Sequence, residues 1–150
     1  CRTPMVWEAG AGNGGFTTGK PWLPVPASHR VRAVDVQNGE EGSVLAAYRS
    51  MLALRKRHPG LVKGSIRFLD TEGDVLAFIR EADDERLVCA FNFADESANW
   101  TLLANLGPIE AIDVGAGAVI VEDILSLPPL GTFLGRTNLA ASRSESSEAW

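Results

Sequence analysis

The residue types best suited to chemistry stand together at the start of the chain, where Arg2, Trp7, Phe16 and Trp22 occur close to one another. An arginine guanidinium stays charged and offers five donors in a fixed planar fork, which suits the binding of carboxylates. Prolines and glycines are frequent in residues 1–26, so this stretch is neither a regular helix nor a central strand. Its aromatic and aliphatic side chains gain by burial, which argues against disorder. The sequence therefore predicts a long, ordered loop that forms a site.

Several other residues that could take part in chemistry are given structural interpretations. His29 and His58 have no partner at metal-ligand spacing, and we expect both to be structural or exposed. The glycines between Gly10 and Gly15 are not a phosphate-binding loop, because no strand precedes them and no Gly-Lys-Ser/Thr follows. Lys20 is expected to be solvated. No ligand cluster implies a metal ion, and no cofactor is expected.

Composition is typical of a soluble globular protein. The chain has 150 residues, 45% of them hydrophobic and 22% charged, which allows one ordinary domain or pieces of two. The formal net charge of −5 gives no basis for binding nucleic acid. No apolar run approaches the roughly 20 residues that a membrane span needs. Neither nucleic acid nor a membrane is therefore expected as a partner.

The two cysteines lie far apart in the sequence. Cys89 stands inside the apolar run of residues 87–93 and is predicted to be a small buried hydrophobe. We expect no disulfide between it and Cys1. This usage fits a reducing compartment and so favours the cytoplasm, with the periplasm as the alternative.

The clearest helix signal covers residues 43–58, where apolar residues recur at three- and four-residue spacing. Ser43 supplies a hydroxyl cap, and acidic residues just before it suit the positive helix end. A basic cluster complements the opposite end, and Pro59-Gly60 stops the helix. The predicted apolar face consists of Val44, Leu45, Tyr48, Met51, Leu52 and Arg55.

The residues on either side of this helix are predicted to be extended. Residues 29–37 alternate polar and apolar side chains and are expected to form a short extended segment. After residue 60, short β-prone runs are separated by turn residues, with hairpin turns expected at Gly73-Asp74 and Asp83-Asp84. The pattern predicts an antiparallel sandwich or sheet. The predicted strands are residues 65–70, 75–80, 87–93, 100–103, 118–122 and 130–134.

The order of elements is therefore a loop, a helix and a small all-β domain. This order is unusual for a free-standing protein, and the chain begins with Cys rather than Met. We expect it to be part of a longer polypeptide in which the loop and helix complete an α/β structure. The Ser/Glu/Ala-rich residues 140–150 are expected to be a flexible tail.

Three blocks of sequence carry a family resemblance. The first is Arg2-Thr-Pro-Met-x-Trp7, followed by Asn13-Gly-Gly-Phe16 and by Gly19-Lys-Pro-Trp-Leu-Pro-Val25. The second is the helix segment that ends in His58-Pro59, and the third is the apolar run of residues 87–93. In this order and approximate spacing, they resemble the α-glucosidase and oligo-1,6-glucosidase branch of the α-amylase superfamily (glycoside hydrolase family 13).

The resemblance implies a (β/α)8 TIM barrel followed by an antiparallel β-sandwich domain. Residues 1–60 would be the end of the catalytic barrel, namely the loop after its eighth strand and its eighth helix. Residues 61–139 would be the C-terminal β domain. Because active sites of such barrels lie on the loops after the strands, the opening loop is expected at the active site.

The resemblance also implies a retaining mechanism in which one carboxylate attacks the sugar and a second, about 5 Å away, exchanges a proton. A third carboxylate holds sugar hydroxyls. In the family all three lie on earlier barrel strands, so no residue of this chain is assigned a catalytic role. The implied partners are an α-glucoside oligosaccharide as substrate and the upstream catalytic barrel of the same protein.

Arg2 is the residue to which the resemblance gives a substrate-binding role. The family's arginine at this position pairs with an upstream aspartate at the closed end of the glucose pocket and helps bind the terminal glucose hydroxyls. The alternative is a surface arginine. Trp7, Phe16 and Trp22 are candidate pocket-lining residues that contact the face of a sugar ring, or else they pack the loop onto the barrel.

Three functions remain open at this point. The first is an α-glucosidase that removes terminal glucose from short α-glucosides, with this chain as its inactive carboxyl-terminal part. The second is a glucosyl-transferring, sucrose-forming or trehalose-forming relative on the same scaffold. The third is a non-catalytic β module that binds a carbohydrate or a partner, which requires exposed aromatic residues. Trp100 and Phe133 are the residues named for it, and their sequence positions predict burial for both.

Overall fold

The structure is a computed structural model that describes residues 2–112 and 117–137. The chain divides into two units, Cys1–Leu54 and Arg55–Trp150. Cys1 and the predicted tail of residues 140–150 lie outside the described residues. In the described parts of the chain, no helix has the length and apolar character required to cross a membrane.

The first unit begins with a long loop that contains a short 3₁₀ turn at Gly12–Gly15. A 3₁₀ helix at Ala27–Arg32 follows, then helix α1 at Val34–Asn38. The expectation of an extended segment at residues 29–37 is therefore wrong. The alternation also fits a helical period, because Ala33, which is fully buried, and the half-buried Val36 are three residues apart.

Helix α2 spans Val44–Arg57, as the sequence predicted. Its cap is also confirmed, since the Ala46 N–H donates to Ser43 Oγ at 3.1 Å. The helix ends before His58, whose extended backbone is what a following proline favours. Pro59 then starts a five-residue helix, α3, at Pro59–Lys63.

The apolar face predicted for α2 is largely exposed within this chain. Val44, Tyr48, Met51 and Leu52 all lie open to solvent, and Leu54 is the buried residue of the helix. The helix itself is confirmed, whereas the described residues do not cover its predicted apolar face, and the buried Leu54 lies outside that face.

The second unit is built from short strands. The predicted strand positions are confirmed within one to three residues at their ends, and two further strands, β5 and β7, were missed. Leu130 has a positive φ of 52°, which explains why the last strand begins at Thr132 rather than at 130. The strands are β1 Ser65–Leu69, β2 Val75–Ala82, β3 Glu85–Asn92, β4 Ala98–Thr101, β5 Ile109–Ala111, β6 Val119–Val121, β7 Ile124–Leu127 and β8 Thr132–Thr137.

Within the described residues, these strands form two antiparallel sheets. One has the order β1-β2-β3-β8-β5 and the other the order β4-β7-β6. Strands β2 and β3 are joined by the two-residue turn Asp83-Asp84, with Asp83 at a φ of 53°. The β1–β2 connection turns at Gly73-Asp74, where Gly73 has a φ of 63°. Both predicted hairpin turns and the predicted sandwich are confirmed.

The core lies between the two sheets and follows the two-residue period of the strands. On β2 and β3, every second side chain points inward, as at Ala77, Ile79, Val88 and Ala90. The predicted burial of Trp100 and Phe133 is confirmed. The core cluster consists of Leu69, Val75, Ala77, Ile79, Val88, Ala90, Trp100, Leu106, Leu125, Leu127 and Phe133.

The opposite face of the five-stranded sheet is also apolar. Phe68 packs edge-on against Phe78 at a centroid distance of 5.9 Å, and Phe78 stacks on Phe91 at 5.7 Å. Ile66 and Phe68 are exposed on this face. Cys89 lies on the same face but is buried, as predicted, and burial raises the pKa of its thiol to about 11.

A largely buried contact between His58 and Glu85 fixes the start of α3 to β3. His58 Nδ1 lies 2.7 Å from Glu85 Oε1, and the Gly60 N–H donates to Glu85 Oε2 at 2.9 Å. Burial acts to raise the pKa of Glu85, but the hydrogen bonds from His58 and Gly60 outweigh it and hold this pKa below its usual value. Arg136 adds a weaker contact at 3.5 Å. His58 is thus structural, as expected.

Replacing Glu85 with glutamine is expected to lower the free energy of unfolding by about 3 kcal/mol at neutral pH, because His58 and the Gly60 N–H lose a charged acceptor. Since the pKa of Glu85 is lowered on folding, its contribution is present above its usual value of 4.5 and is lost as the pH falls below it. Urea unfolding of the chain between about pH 3 and pH 7 measures both effects.

The matched control is Glu72→Gln, because Glu72 is exposed in the loop between β1 and β2. It is expected to change stability by less than about 0.5 kcal/mol. If the free energies of unfolding of Glu85→Gln and of the unchanged chain differ by the same amount at neutral and acidic pH, the stabilising role assigned to the Glu85 carboxylate is wrong.

Candidate functional site

The opening loop is shaped by a tight return of the backbone on itself. The N–H groups of Trp7 and Glu8 both donate to the Gly14 carbonyl, at 2.8 and 3.1 Å. Gly14 has a φ of +64°, and a Cβ at this position would stand 2.9 Å from Val6 Cγ1. Both the backbone conformation and the close approach of Val6 therefore require glycine here.

The start of α1 holds the same segment from its other side. The Val34 N–H donates to the Val6 carbonyl, and the Asp35 N–H donates to the Trp7 carbonyl, both at 3.0 Å. Val6 is buried, and so is Ala33, which precedes Val34 in the sequence. These bonds give residues 6 and 7 the backbone partners that a strand or helix would otherwise supply.

Two charged side chains extend this attachment to Ala9 and Ala11. Arg30 Nη1 donates to the carbonyls of Ala9 and Ala11, at 2.6 and 2.9 Å. The Asp35 carboxylate accepts the Ala9 N–H, with 3.1 Å to each of its oxygens. Asp35 Oδ1 also accepts the Val36 N–H at 2.8 Å, which fixes the carboxylate at the first turn of α1.

The candidate pocket-lining residues lie at different places along this loop. Trp7 is 50% exposed and stands inside the attached segment, and Phe16 is 49% exposed just after the turn at Gly14. Trp22 is 85% exposed and lies farther along the loop. Arg2 is exposed, and its side chain makes no hydrogen bond or ion pair with any described residue.

Two open hollows accompany the loop. One, of about 260 Å³, is lined by residues 3–6 together with His29 and Arg32, and His29 Nδ1 lies 3.5 Å from Thr3 Oγ1. The other, of about 710 Å³, follows residues 11–18 and includes Phe16. The second combines the hydroxyl groups of Thr17 and Thr18 and the amide of Asn13 with the ring of Phe16, and pockets of this kind pair a few polar groups with apolar surface.

The carboxylates of Asp35 and Glu85 are engaged in contacts within the fold. Asp35 accepts backbone hydrogen bonds, and Glu85 is bound to His58 and Gly60. Among residues 2–112 and 117–137, no group of three or more His, Cys, Asp or Glu side chains is arranged to hold a metal ion. Lys20 is exposed.

Sequence reasoning missed Arg30 and Asp35 as parts of this site. The signal for them was indirect, because a proline- and glycine-rich loop leaves carbonyl and N–H groups that need partners from elsewhere in the chain. Charged residues in the segment that follows the loop are candidates for that role. The extended conformation expected for residues 29–37 concealed these roles. Arg30 reaches Ala9 from the 3₁₀ helix at Ala27–Arg32, and Asp35 reaches it from the first turn of α1.

Two family models match the chain in succession. The alpha amylase catalytic domain matches residues 1–64, and the C-terminal domain of maltogenic amylase matches residues 66–134. Among curated proteins, a probable alpha-glucosidase of Rhizobium meliloti is 45% identical over 91% of this chain. A probable oligo-1,6-glucosidase of Bacillus subtilis is 35% identical over 73% of it.

Solved structures agree with these matches. The alpha-glucosyl transfer enzyme XgtA superposes with a TM-score of 0.81 at 42% identity, over 92% of this chain and 26% of that one. The trehalulose synthase MutB from Pseudomonas mesoacidophila superposes with a TM-score of 0.75 at 31% identity, over 91% and 25%. The chain spans a fifth to a quarter of the length of these curated relatives, with 24% for the Rhizobium protein and 20% for the Bacillus protein.

Replacing Gly14 with alanine is expected to loosen the opening loop by about 1–3 kcal/mol, because a Cβ meets Val6 and the left-handed backbone is strained. Chymotrypsin cleavage after Trp7 and Phe16 measures this loosening directly. Gly10→Ala is the matched control, since a Cβ there has nothing within 4 Å. Equal cleavage rates for the two variants would show that Gly14 is not needed for the turn.

Proposed function

Because the chain belongs to the α-amylase superfamily, in its α-glucosidase and oligo-1,6-glucosidase branch, we propose that it is part of a retaining α-glucosidase. The enzyme hydrolyses terminal α-linked glucose from short oligosaccharides. Residues 1–60 are the end of its catalytic barrel, and residues 61–139 are its C-terminal β domain. The observation that carries the proposal is the 45% identity to a probable alpha-glucosidase over 91% of this chain, across both units.

The chemistry of this proposal assigns binding, not bond cleavage, to this chain. A retaining glycosidase needs two carboxylates about 5 Å apart, one to attack the anomeric carbon and one to protonate the leaving group and then activate water. The described carboxylates with defined partners serve the fold, as with Asp35 and Glu85. The catalytic pair therefore comes from the part of the enzyme before Arg2.

Arg2 is proposed to bind the terminal glucose at the closed end of the pocket. Its exposed guanidinium makes no ion pair with the described residues, so its donors remain open to a sugar and to a carboxylate of the catalytic barrel. The half-exposed rings of Trp7 and Phe16, and the exposed ring of Trp22, offer apolar surface to a pyranose face.

Two exposed apolar surfaces support the view that a larger barrel accompanies this chain. The first is the exposed face of α2, with Val44 and Tyr48. The second is the outer face of the five-stranded sheet, with Ile66 and Phe68. Contiguous apolar surface of this kind is typical of an interface. The upstream barrel is the proposed partner for both.

A second candidate function is glucosyl transfer on the same scaffold, which the likeness to XgtA at 42% identity favours. Hydrolysis and transfer differ only in the acceptor of the glucosyl group, which is water in one and a sugar hydroxyl in the other. Product analysis of the full-length enzyme with maltose as sole substrate separates them. Glucose alone is expected for the proposed hydrolase, whereas trisaccharides or isomerised disaccharides identify the transferase.

The third candidate function, a non-catalytic β module, requires exposed aromatic residues, and the two residues named for it are buried. Trp100 and Phe133 are 6% and 4% exposed and pack in the core. Exposed aromatic residues of this domain are instead Phe68 and Phe93, neither of which the sequence singled out. Their place on or beside an apolar sheet face fits the domain interface better than a sugar platform.

Replacing Arg2 with alanine in the full-length enzyme is expected to lower kcat/KM for maltose by about 10- to 100-fold, the loss expected for hydrogen bonds to charged groups. Arg2→Lys is expected to recover only part of it, because an ammonium lacks the planar fork. Steady-state kinetics measures the effect, with the exposed Arg57→Ala as control. The 150-residue chain alone is expected to release no glucose, and unchanged kcat/KM in Arg2→Ala would refute the binding role.

A further inference from the structure

We propose that Arg30 and Asp35 are positioning residues that hold the opening loop in its working conformation, with Ala9 as the fixed point. This inference rests on the proposed function, because the loop it concerns is the one that carries the sugar-binding residues. Neither side chain is proposed to touch the substrate. Both act through the backbone between Trp7 and Ala11.

The first step of the argument is that both polar groups of Ala9 are bound by side chains of opposite charge. Its N–H is accepted by the Asp35 carboxylate, with 3.1 Å to each oxygen. Its carbonyl accepts from Arg30 Nη1 at 2.6 Å. Hydrogen bonds to charged groups are the stronger kind, and here they act on one residue from two directions. Ala9 is therefore held in both position and orientation.

The second step is that Arg30 joins two points of the loop. The same nitrogen that binds the Ala9 carbonyl also binds the Ala11 carbonyl at 2.9 Å. Arg30 is half-buried, so removing it takes the side-chain donor from the Ala9 carbonyl in a site that is partly closed to water, and leaves the Ala11 carbonyl with the Gly14 N–H at 3.1 Å. Arg30 thereby adds a side-chain tie to a segment that is otherwise held by the backbone bonds from Ala11 to Glu8 and from Gly14 to Ala11.

The third step concerns the aromatic residues. Trp7 is attached on both sides, since its N–H bonds to Gly14 and its carbonyl to the Asp35 N–H. Trp22 has 85% of its surface exposed, and it follows the segment that Arg30 and Asp35 bind. Because two hydrogen bonds hold its backbone, Trp7 is expected to lose less conformational freedom than Trp22 when a sugar binds. The contacts of Arg30 and Asp35 with the loop are therefore expected to make Trp7 the main aromatic contact of this loop with a sugar.

The test uses the full-length enzyme with Arg30→Ala and two independent readouts. Backbone hydrogen exchange of residues 7–11 is expected to become about tenfold faster, the factor for losing one hydrogen bond to a charged group. The value of kcat/KM is expected to fall about tenfold, mainly through KM, because loop order affects sugar binding before it affects bond cleavage. Lys20→Ala removes a positive charge from the same loop and is expected to leave both readouts unchanged.

Two milder variants keep the test decisive if Arg30→Ala folds poorly. Arg30→Lys retains a nitrogen that can donate to two carbonyls and is expected to recover most of the exchange protection. Asp35→Asn keeps one acceptor oxygen for the Ala9 N–H and is expected to give an intermediate effect. If Arg30→Ala matches Lys20→Ala in both exchange and KM, the positioning role is wrong.

The two readouts also separate this inference from the proposed function. If the unchanged enzyme shows no activity on α-glucosides, the proposed function fails, while the exchange of residues 7–11 still decides whether Arg30 holds the loop. If Arg30→Ala lowers the melting temperature but leaves exchange and KM unchanged, Arg30 is a structural residue only. Faster exchange together with a raised KM supports the proposal in full.

Discussion

A loop without a strand or helix of its own must find partners for its backbone groups elsewhere, and this constraint shapes the first unit of the chain. Residues 6–11 meet it by bonding inward to Gly14 and outward to the start of α1 and to Arg30. The helix start is therefore not a connector that happens to follow the loop. It is the support on which the loop is built, and the half-exposed ring of Trp7 belongs to the supported segment.

The sequence was informative wherever a signal is local. Helix α2, its serine cap and both hairpin turns follow from capping, period and turn residues within a few positions of one another. Strands β5 and β7 were missed because β5 has three residues and the turn before β7, at Glu122-Asp123, contains no glycine or asparagine. The family motif predicted the loop to be a site, but it carried no information about what holds the loop in place.

Arg30 and Asp35 belong to the part that local reasoning does not reach. Their roles depend on contacts with residues 19 to 26 positions away in the sequence. Those contacts could be inferred only after the 3₁₀ helix and α1 had been recognised. The same is true of Glu85, which meets His58 across 27 residues. In each case the residue type was visible, whereas its partner was set by tertiary structure.

The place of β8 in the sheet has a consequence for how the β domain is made on the ribosome. Strands β1, β2 and β3 are joined by short turns, so they can pair as soon as they are synthesised. The other edge of β3 is filled by β8, and β5 in turn pairs with β8, so neither contact exists until residue 137 has left the exit tunnel. Until then β3 presents an unpaired edge with apolar side chains on both faces. The nascent domain is therefore most vulnerable to misassembly after β3 and before β8 has been made, and β8 is the strand that removes the danger.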